Sequence, residues 1–446
     1  MRVGLPAAAL VAALLLAAPA AGRLLQRGAQ AAPPPATTFV VSGHGWGHGV
    51  GLAQYGALGY AQRGVTYDRI LAHYYPGTVL GRAPVARVRV LLAEGKRSLS
   101  VASDVPFKVE TTRGVRRLPA GTHAIPDPAA ALRPPLVFLP GGEPLRLDGR
   151  AYRGSVRVTR VGGRLRAVNR LGLDAYLYGV IAGEMPSHWP GEALKAQAVA
   201  ARSYALVSRR TGDFDLYADV RSQVYGGVAA ETTSARAAVD ATRLQALLYE
   251  GKVAHTFFFA SSGGRTADVT DIWLDSKPVP YLISVDDPYD TLSPYHDWGP
   301  IAITATAAAR ALELPGLRGM TLIRAPSQRV REVRVGTASG RTTLAGNVFR
   351  RALDLRSTWF TVGVLTLDRP AGPVAAGETV ALAGVVRRVA GPVLEQRPAG
   401  GTWGVAVAVS PGADGRFSAA VTPTVTSDYR LRSGDATTEA VRVRVE

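Results

Sequence analysis

The chain has 446 residues, of which 47% are hydrophobic and 19% charged, with no cysteine and a formal net charge of +18. That apolar content excludes a disordered chain, and the length suggests two to three domains. The lack of cysteine excludes disulfides, thiol nucleophiles and thiolate metal sites. The positive charge is nearly all arginine and draws anionic polymers to the surface. It forms no run of five or more basic residues and no basic stripe interleaved with aromatics, so nucleic acid is not an expected partner.

The first residues read as a secretory signal peptide over 1–31. Met1 and Arg2 form a positive start, Val3 to Ala21 is apolar, and Ala-x-Ala-like sites follow at Ala18 to Ala20 and Ala29 to Ala31. The expected location is therefore secreted or in the cell envelope, with membrane attachment only through this segment if it stays uncleaved. Residues 32–38, with Pro33, Pro34 and Pro35, read as a linker.

From 39 to 361 strand-like and helix-like stretches mix. Val85 to Val90 and Ser155 to Val161 alternate with period two and predict half-buried strands. Gly141-Gly142, Asp148-Gly149 and Gly162-Gly163 predict turns that divide such strands into hairpins. Asp174 suits the N-cap of a helix over Ala175 to Gly183, which Pro186 blocks from continuing. Pro190 suits the entry to a second helix from Gly191 to about Ser208, with Leu194, Ala198, Ala201 and Ala205 as its buried stripe. A third helix is expected over Ser234 to Leu248. Residues 362–446 hold short β-type runs such as Val405 to Val409 and Val441 to Val445, many turn signals and no helix pattern. They read as a small β-sandwich of immunoglobulin-like type.

Four clusters could carry chemistry. In Gly43 to Gly51 glycine stands at every second position. An extended run would put His44, Trp46 and His48 on one face, as a groove wall or as a tight structural strand. Two histidines alone do not make a zinc site. Glu184 ends a helix among Met185, Pro186 and Trp189, where an apolar pocket would raise its pKa and suit a general acid, while exposure at the helix end would leave it ordinary. Gln223 and Tyr225 in Ser222 to Gly227, and Ser261, Ser262, Gly263 and Gly264, form small polar loops that suit hydroxyl-rich sugars or ordinary turns. No G-x-S-x-G, H-E-x-x-H, P-loop or G-x-G-x-x-G pattern occurs.

Together the clusters resemble one family. Tyr176-Leu177-x-Gly179-Val180, Glu184-Met185-Pro186 and Trp189-Pro190-x-Glu192 through Arg202-Ser203-Tyr204-Ala205 resemble the signature of the SpoIID/LytB family. Ser222 to Gly227, Ser261 to Thr266, Asp287 to Asp290 with Ser293, Pro294 and Trp298, and Ser357 to Phe360 add further matches. Gly47-His48-Gly49 through Gln54-Tyr55-Gly56 looks like the family's Gly-His-Gly motif, here placed ahead of the others as in a circular permutation or a rearranged arm that reaches the same groove.

The resemblance implies an α+β fold, a β-rich domain over 39–361 with a few helices around a substrate groove. It implies action on the glycan strands of peptidoglycan by lytic transglycosylation, with Glu184 as general acid and base. It further implies Arg202 beside the groove. Gln223, Tyr225, Ser261, Ser262, Gly263, Gly264, His44, His48, Gln54 and Tyr55 are expected as substrate contacts, and no metal or other cofactor is expected, since without cysteine the cysteine-containing zinc site of some members cannot form. Some family members are instead amidase enhancers, which gives an alternative: a non-catalytic wall protein that stimulates an N-acetylmuramoyl-L-alanine amidase.

Overall fold

A computed structural model describes residues 35–127 and 132–446. The expected signal peptide lies outside the described residues. The architecture is α+β. Five helices bear on the site: α1 (Gln54–Gln62), α2 (Tyr67–Tyr74), α3 (Leu173–Glu184), α4 (Gly191–Val207) and α5 (Thr233–Ala241).

A seven-stranded sheet leads into α3. Its order is Leu216–Tyr217, Arg87–Lys96, Arg164–Gly172, Ser155–Val161, Leu136–Leu139, Phe107–Thr111 and Gly114–Leu118. The period-two run Ser155–Val161 pairs with Arg164–Gly172 in full register across Gly162-Gly163, as its turn signal requires. Asp148-Gly149 likewise turns Leu145–Leu147 into Arg150–Tyr152. Gly141-Gly142 does something else: it carries the chain from Leu136–Leu139 to a strand of a different, four-stranded sheet. The alternation read from Val85 begins as strand only at Arg87, and Val85 is exposed.

α4 is the hub of the helical layer and touches α1, α2, α3 and α5. Leu194, Ala198, Ala201 and Ala205 are buried as their spacing predicted, but so are Ala193, Ala196, Val199 and Ala200. Small side chains nearly all round let the neighbouring helices approach closely, so the helix is central rather than one-faced.

Three expectations are corrected here. Asp174 is not an N-cap: α3 starts at Leu173 after Gly172, with Asp174 inside its first turn. The third helix stops at Ala241, because Thr242 turns its hydroxyl back to the Ala238 carbonyl and Leu244 takes a positive φ of 57°. The chain then continues as the strand Gln245–Tyr249, paired with Val79–Arg82 and Lys252–Val253. The linker expected over 32–38 is already strand from Ala36.

That strand, Ala36–His44, ties the two ends of the chain together. It lies between Asp297–Thr304 and Phe360–Leu367, antiparallel to both. Successive side chains on a strand point to opposite faces. Ala36 and Val40 enter one core with Leu365, Leu382, Leu394 and Tyr429, while Phe39 and Val41 enter another with Trp298, Val333, Phe349 and Phe360. The strand Phe360–Leu367 crosses the boundary expected at 361/362. The sheet it belongs to continues through Val380–Arg387 to Arg416–Val421 and packs on a second sheet built around Val393–Pro398 and Ser427–Ser433.

Candidate functional site

Glu184 is the last residue of α3, half-buried, followed by fully packed Met185. Its Oε1 accepts the backbone N–H of Val224 at 2.9 Å. Burial pushes its carboxyl above the ordinary range, and the Val224 hydrogen bond only partly offsets this. The negative end of the α3 dipole acts in the same direction, since it disfavours a carboxylate there. Tyr176 and Tyr204 stand close enough that the Glu184 charge adds to the burial that raises both phenols.

The Val224 N–H is aimed by its neighbours. Gln223 is buried, accepts the Tyr176 hydroxyl at 3.1 Å and donates to the Ala201 carbonyl at 3.3 Å. Tyr225 is buried and donates to Asn169 Oδ1 at 2.9 Å, with its ring against Tyr152 and Tyr176. Both side chains are buried. They clamp the loop so that the residue between them holds Glu184, which corrects the expectation that both contact substrate.

Arg202 is corrected as well. It is 1% exposed and spends its N–H groups on protein acceptors. Nε and Nη2 reach Asp174 Oδ1 at 3.1 and 2.9 Å, Nη2 the Val239 carbonyl at 3.2 Å, and Nη1 the Gln245 carbonyl at 3.1 Å. Asp174 stands at the opposite end of α3 from Glu184. Arg202 therefore braces α3, α5 and the following strand on α4 and leaves no donor for a ligand. Glu192 occupies the first turn of α4. Burial pushes it up, but hydrogen bonds from Lys195 and from the Tyr67 N–H hold it below its ordinary value, so it is not a second acid.

The Gly-His-Gly run and the Ser-Ser-Gly-Gly loop meet. Trp46 N–H donates to the Ser261 carbonyl at 2.8 Å, and Ser261 N–H to the Trp46 carbonyl at 3.0 Å. The run is not extended beyond His44: Gly45, Gly47, Gly49 and Gly51 have φ of 72°, 117°, 92° and 79°. A Cβ on Gly45 would lie 2.6 Å from the Ser261 carbonyl oxygen, and one on Gly263 2.6 Å from His44 Cβ. Alternate glycines thus serve a left-handed backbone and close approach, not a flat wall. The run also joins the far end of the chain, since His44 N–H donates to the Trp359 carbonyl and Gly47 N–H to the Arg356 carbonyl.

Asp290, fully buried, organises the Ser-Ser-Gly-Gly loop. It accepts the Ser261 hydroxyl and the Ser262 and Gly263 N–H groups, each at 2.8 Å, and lies 3.1 Å from His296 Nδ1. Ser261 and Ser262 are buried and engaged, so the loop is held from behind. Asp287, beside it, accepts the Tyr74 hydroxyl at 2.9 Å. Burial and then the charge of Asp290 push Asp287 up to about 7.

The two histidines differ. His44 is partly exposed and paired with Asp297. His48 packs among Phe257, Phe259 and Trp273 and accepts the Val50 N–H at Nδ1. Burial, helped by the charges of Arg329 and Arg350, pushes it down to about 3, so it stays neutral and structural. Gln54 is buried at the start of α1, and Tyr55 beside it stays partly open, edge-to-face with Trp189 at 4.9 Å between ring centroids. Among the described residues no three His, Asp or Glu side chains converge as a metal-binding group, and no helix is long and apolar enough to cross a membrane.

Residues 161–249, which hold Glu184 and the Val224 loop, match the SpoIID family, described as Stage II sporulation protein. An uncharacterized protein of Brachyspira hyodysenteriae (strain ATCC 49526 / WA1) is 40% identical over 140 residues, 30% of this chain and 38% of that protein. An amidase enhancer of Bacillus subtilis (strain 168) is 40% identical over 114 residues, 26% of this chain and 15% of its own. A Stage II sporulation protein D of Bacillus amyloliquefaciens is 33% identical over 146 residues, 29% of this chain and 42% of its own. The chain thus spans less than half the length of these relatives. No solved structure matches. The similarity to the SpoIID family thus lies in the segment that carries Glu184.

Proposed function

We propose that this is an exported cell-wall protein that cleaves the glycan strands of peptidoglycan by lytic transglycosylation. One observation carries the reading: Glu184 is a carboxyl with a raised pKa, held at a helix end by the Val224 N–H. Such a group is protonated over more of the pH range than an ordinary glutamate, as a general acid must be.

A glycosidase of the usual kind needs two carboxyl groups across the scissile bond. Here Glu192 is engaged elsewhere, and Asp287 and Asp290 are buried behind the Ser-Ser-Gly-Gly loop. One carboxyl suffices if the muramic C6 hydroxyl is the nucleophile, because the substrate then supplies it intramolecularly. Glu184 protonates the departing glycosidic oxygen. The resulting carboxylate then takes the proton of the C6 hydroxyl as its oxygen bonds to C1 and closes a 1,6-anhydro ring. The strands after Leu367 would act as an immunoglobulin-like spacer.

A second reading has its own support, the similarity to a protein named an amidase enhancer. There the groove would bind wall without cutting it and stimulate an N-acetylmuramoyl-L-alanine amidase. Purified protein and its Glu184→Gln variant, incubated with peptidoglycan and analysed by mass spectrometry, decide between them. Anhydro-muramic ends from the parent alone support cleavage. No such ends from either, with wall binding intact and amidase rate raised, would sink it in favour of the second reading.

A further inference from the structure

A strip of aromatic rings leads from the turn after Glu184 to the Gly-His-Gly run. Trp189 sits edge-to-face with Tyr55 at 4.9 Å, Tyr55 with Tyr295 at 6.3 Å, and Tyr295 with Trp46 at 4.3 Å. Trp46 is 41% exposed, and the other three rings are partly open. Trp189 follows Glu184 by five residues through the Pro186 turn, so the two Cα atoms lie within roughly 17 Å, the reach of five extended residues. These rings come from four separate segments; Trp189 packs one side against the core that holds Leu52 and Ala57, while Trp46, Tyr55 and Tyr295 belong to no core cluster.

One cation caps the strip. The Arg356 guanidinium lies 4.7 Å from the Tyr295 ring centroid and 5.2 Å from that of Trp46. Among the described residues no carboxylate pairs with it, whereas Arg89, Arg153 and Arg202 each have one and Arg166 has two. Stacking on the rings fixes the plane of the guanidinium and leaves its N–H edge for an anion. Flat apolar ring faces suit the C–H faces of pyranose sugars, and an oriented unpaired guanidinium suits a carboxylate.

We propose that Trp46, Tyr55, Trp189 and Tyr295 form a glycan-binding strip in which Arg356 selects a sugar bearing a free carboxylate. The proposal rests on the reading of the protein as one that works on wall glycan. An acidic strand gains a charge-assisted pair that a neutral strand of the same length lacks. The carbonyl of Arg356 accepts the Gly47 N–H, and a side-chain substitution leaves that bond in place.

The test is binding, measured calorimetrically on the Glu184→Gln protein so that nothing is cut. Peptide-free peptidoglycan strands are compared with neutral chitin oligosaccharides of equal length. The acidic strands bind more tightly, and raised salt narrows the difference. Adding Arg356→Gln weakens acidic strands about tenfold, the worth of one charge-assisted hydrogen bond, and leaves chitin oligosaccharides unchanged. Adding Trp46→Ala weakens both. Unchanged thermal unfolding of each variant confirms the fold. Equal loss for both ligands with Arg356→Gln, or no loss for either, overturns the selection. A protein that makes no anhydro ends but shows this binding pattern would fail as a transglycosylase and keep the strip. A protein that cleaves but ignores Arg356→Gln would do the reverse.

Discussion

Arg202 separates two views of this family signature, one in which it serves the groove and one in which it serves the fold. Replacing it with leucine fills similar space without charge. It leaves the Asp174 carboxylate with only the exposed Arg243 at 3.8 Å and removes a donor from the carbonyls of Val239 and Gln245. Breaking a buried ion pair from one side costs about 3–5 kcal/mol. Asp174 keeps 24% side-chain exposure, so water recovers part of its solvation and the lower end, about 3 kcal/mol, applies. For a cooperative unit of roughly 150–250 residues that lowers Tm by about 6–12 °C. Differential scanning calorimetry measures the drop. Wall binding, assayed well below the new transition, should be close to that of the parent, since Arg202 has no donor free for a ligand. An unchanged Tm together with lost binding would refute the assignment of Arg202 to the scaffold.

Three further outcomes follow from the same geometry. Tyr225→Phe removes the donor to buried Asn169 Oδ1 and should cost about 1–3 kcal/mol in chemical denaturation while glycan binding persists. Gly45→Ala forces a Cβ onto the Ser261 carbonyl at a φ of 72°, and should abolish wall binding by separating the two loops, seen in a pull-down with insoluble peptidoglycan. Glu184 is raised by burial, so the folded state prefers it protonated. Its stability contribution is full below the unfolded pKa and is lost as pH rises through the raised folded value. Glu184→Gln should therefore unfold at a higher temperature than the parent at neutral pH, with the gap closing in acid. Cleavage by the parent should decline as pH rises through the same value.

How much of this was legible beforehand depended on whether the partners were local. α3 and α4 were readable because their spacing, Pro186 and Pro190 lie within one window. The alternating glycines were visible, but alternation suits a strand and a left-handed coil equally. The deciding contact, the Ser261 carbonyl against Gly45, is more than two hundred residues away. Arg202 stood beside Glu184 in a motif, yet its acceptors are Asp174 and two carbonyls in α5 and the strand after it. Motif neighbourhood therefore said that the residue mattered without saying how. The aromatic strip could not be seen at all, because Trp46, Tyr55, Trp189, Tyr295 and Arg356 come from across the chain and share no period.

Asp287 ties stability to pH at the same junction. Burial and the Asp290 charge push it up to about 7, against an unfolded value near 4. Between about pH 4 and 7 the folded state holds a proton that the unfolded state has released, so stability falls across that window and levels off above it. Asp287 touches Tyr74 of α2, and Asp290 holds the loop that receives the Gly-His-Gly run. A charge on Asp287 therefore sits beside the carboxylate that holds the loop paired with Trp46. Asp287→Asn removes the titration and should flatten the decline in Tm between pH 4.5 and 7.5. A variant whose Tm still falls as steeply as the parent's over that range would show that Asp287 is not the group responsible.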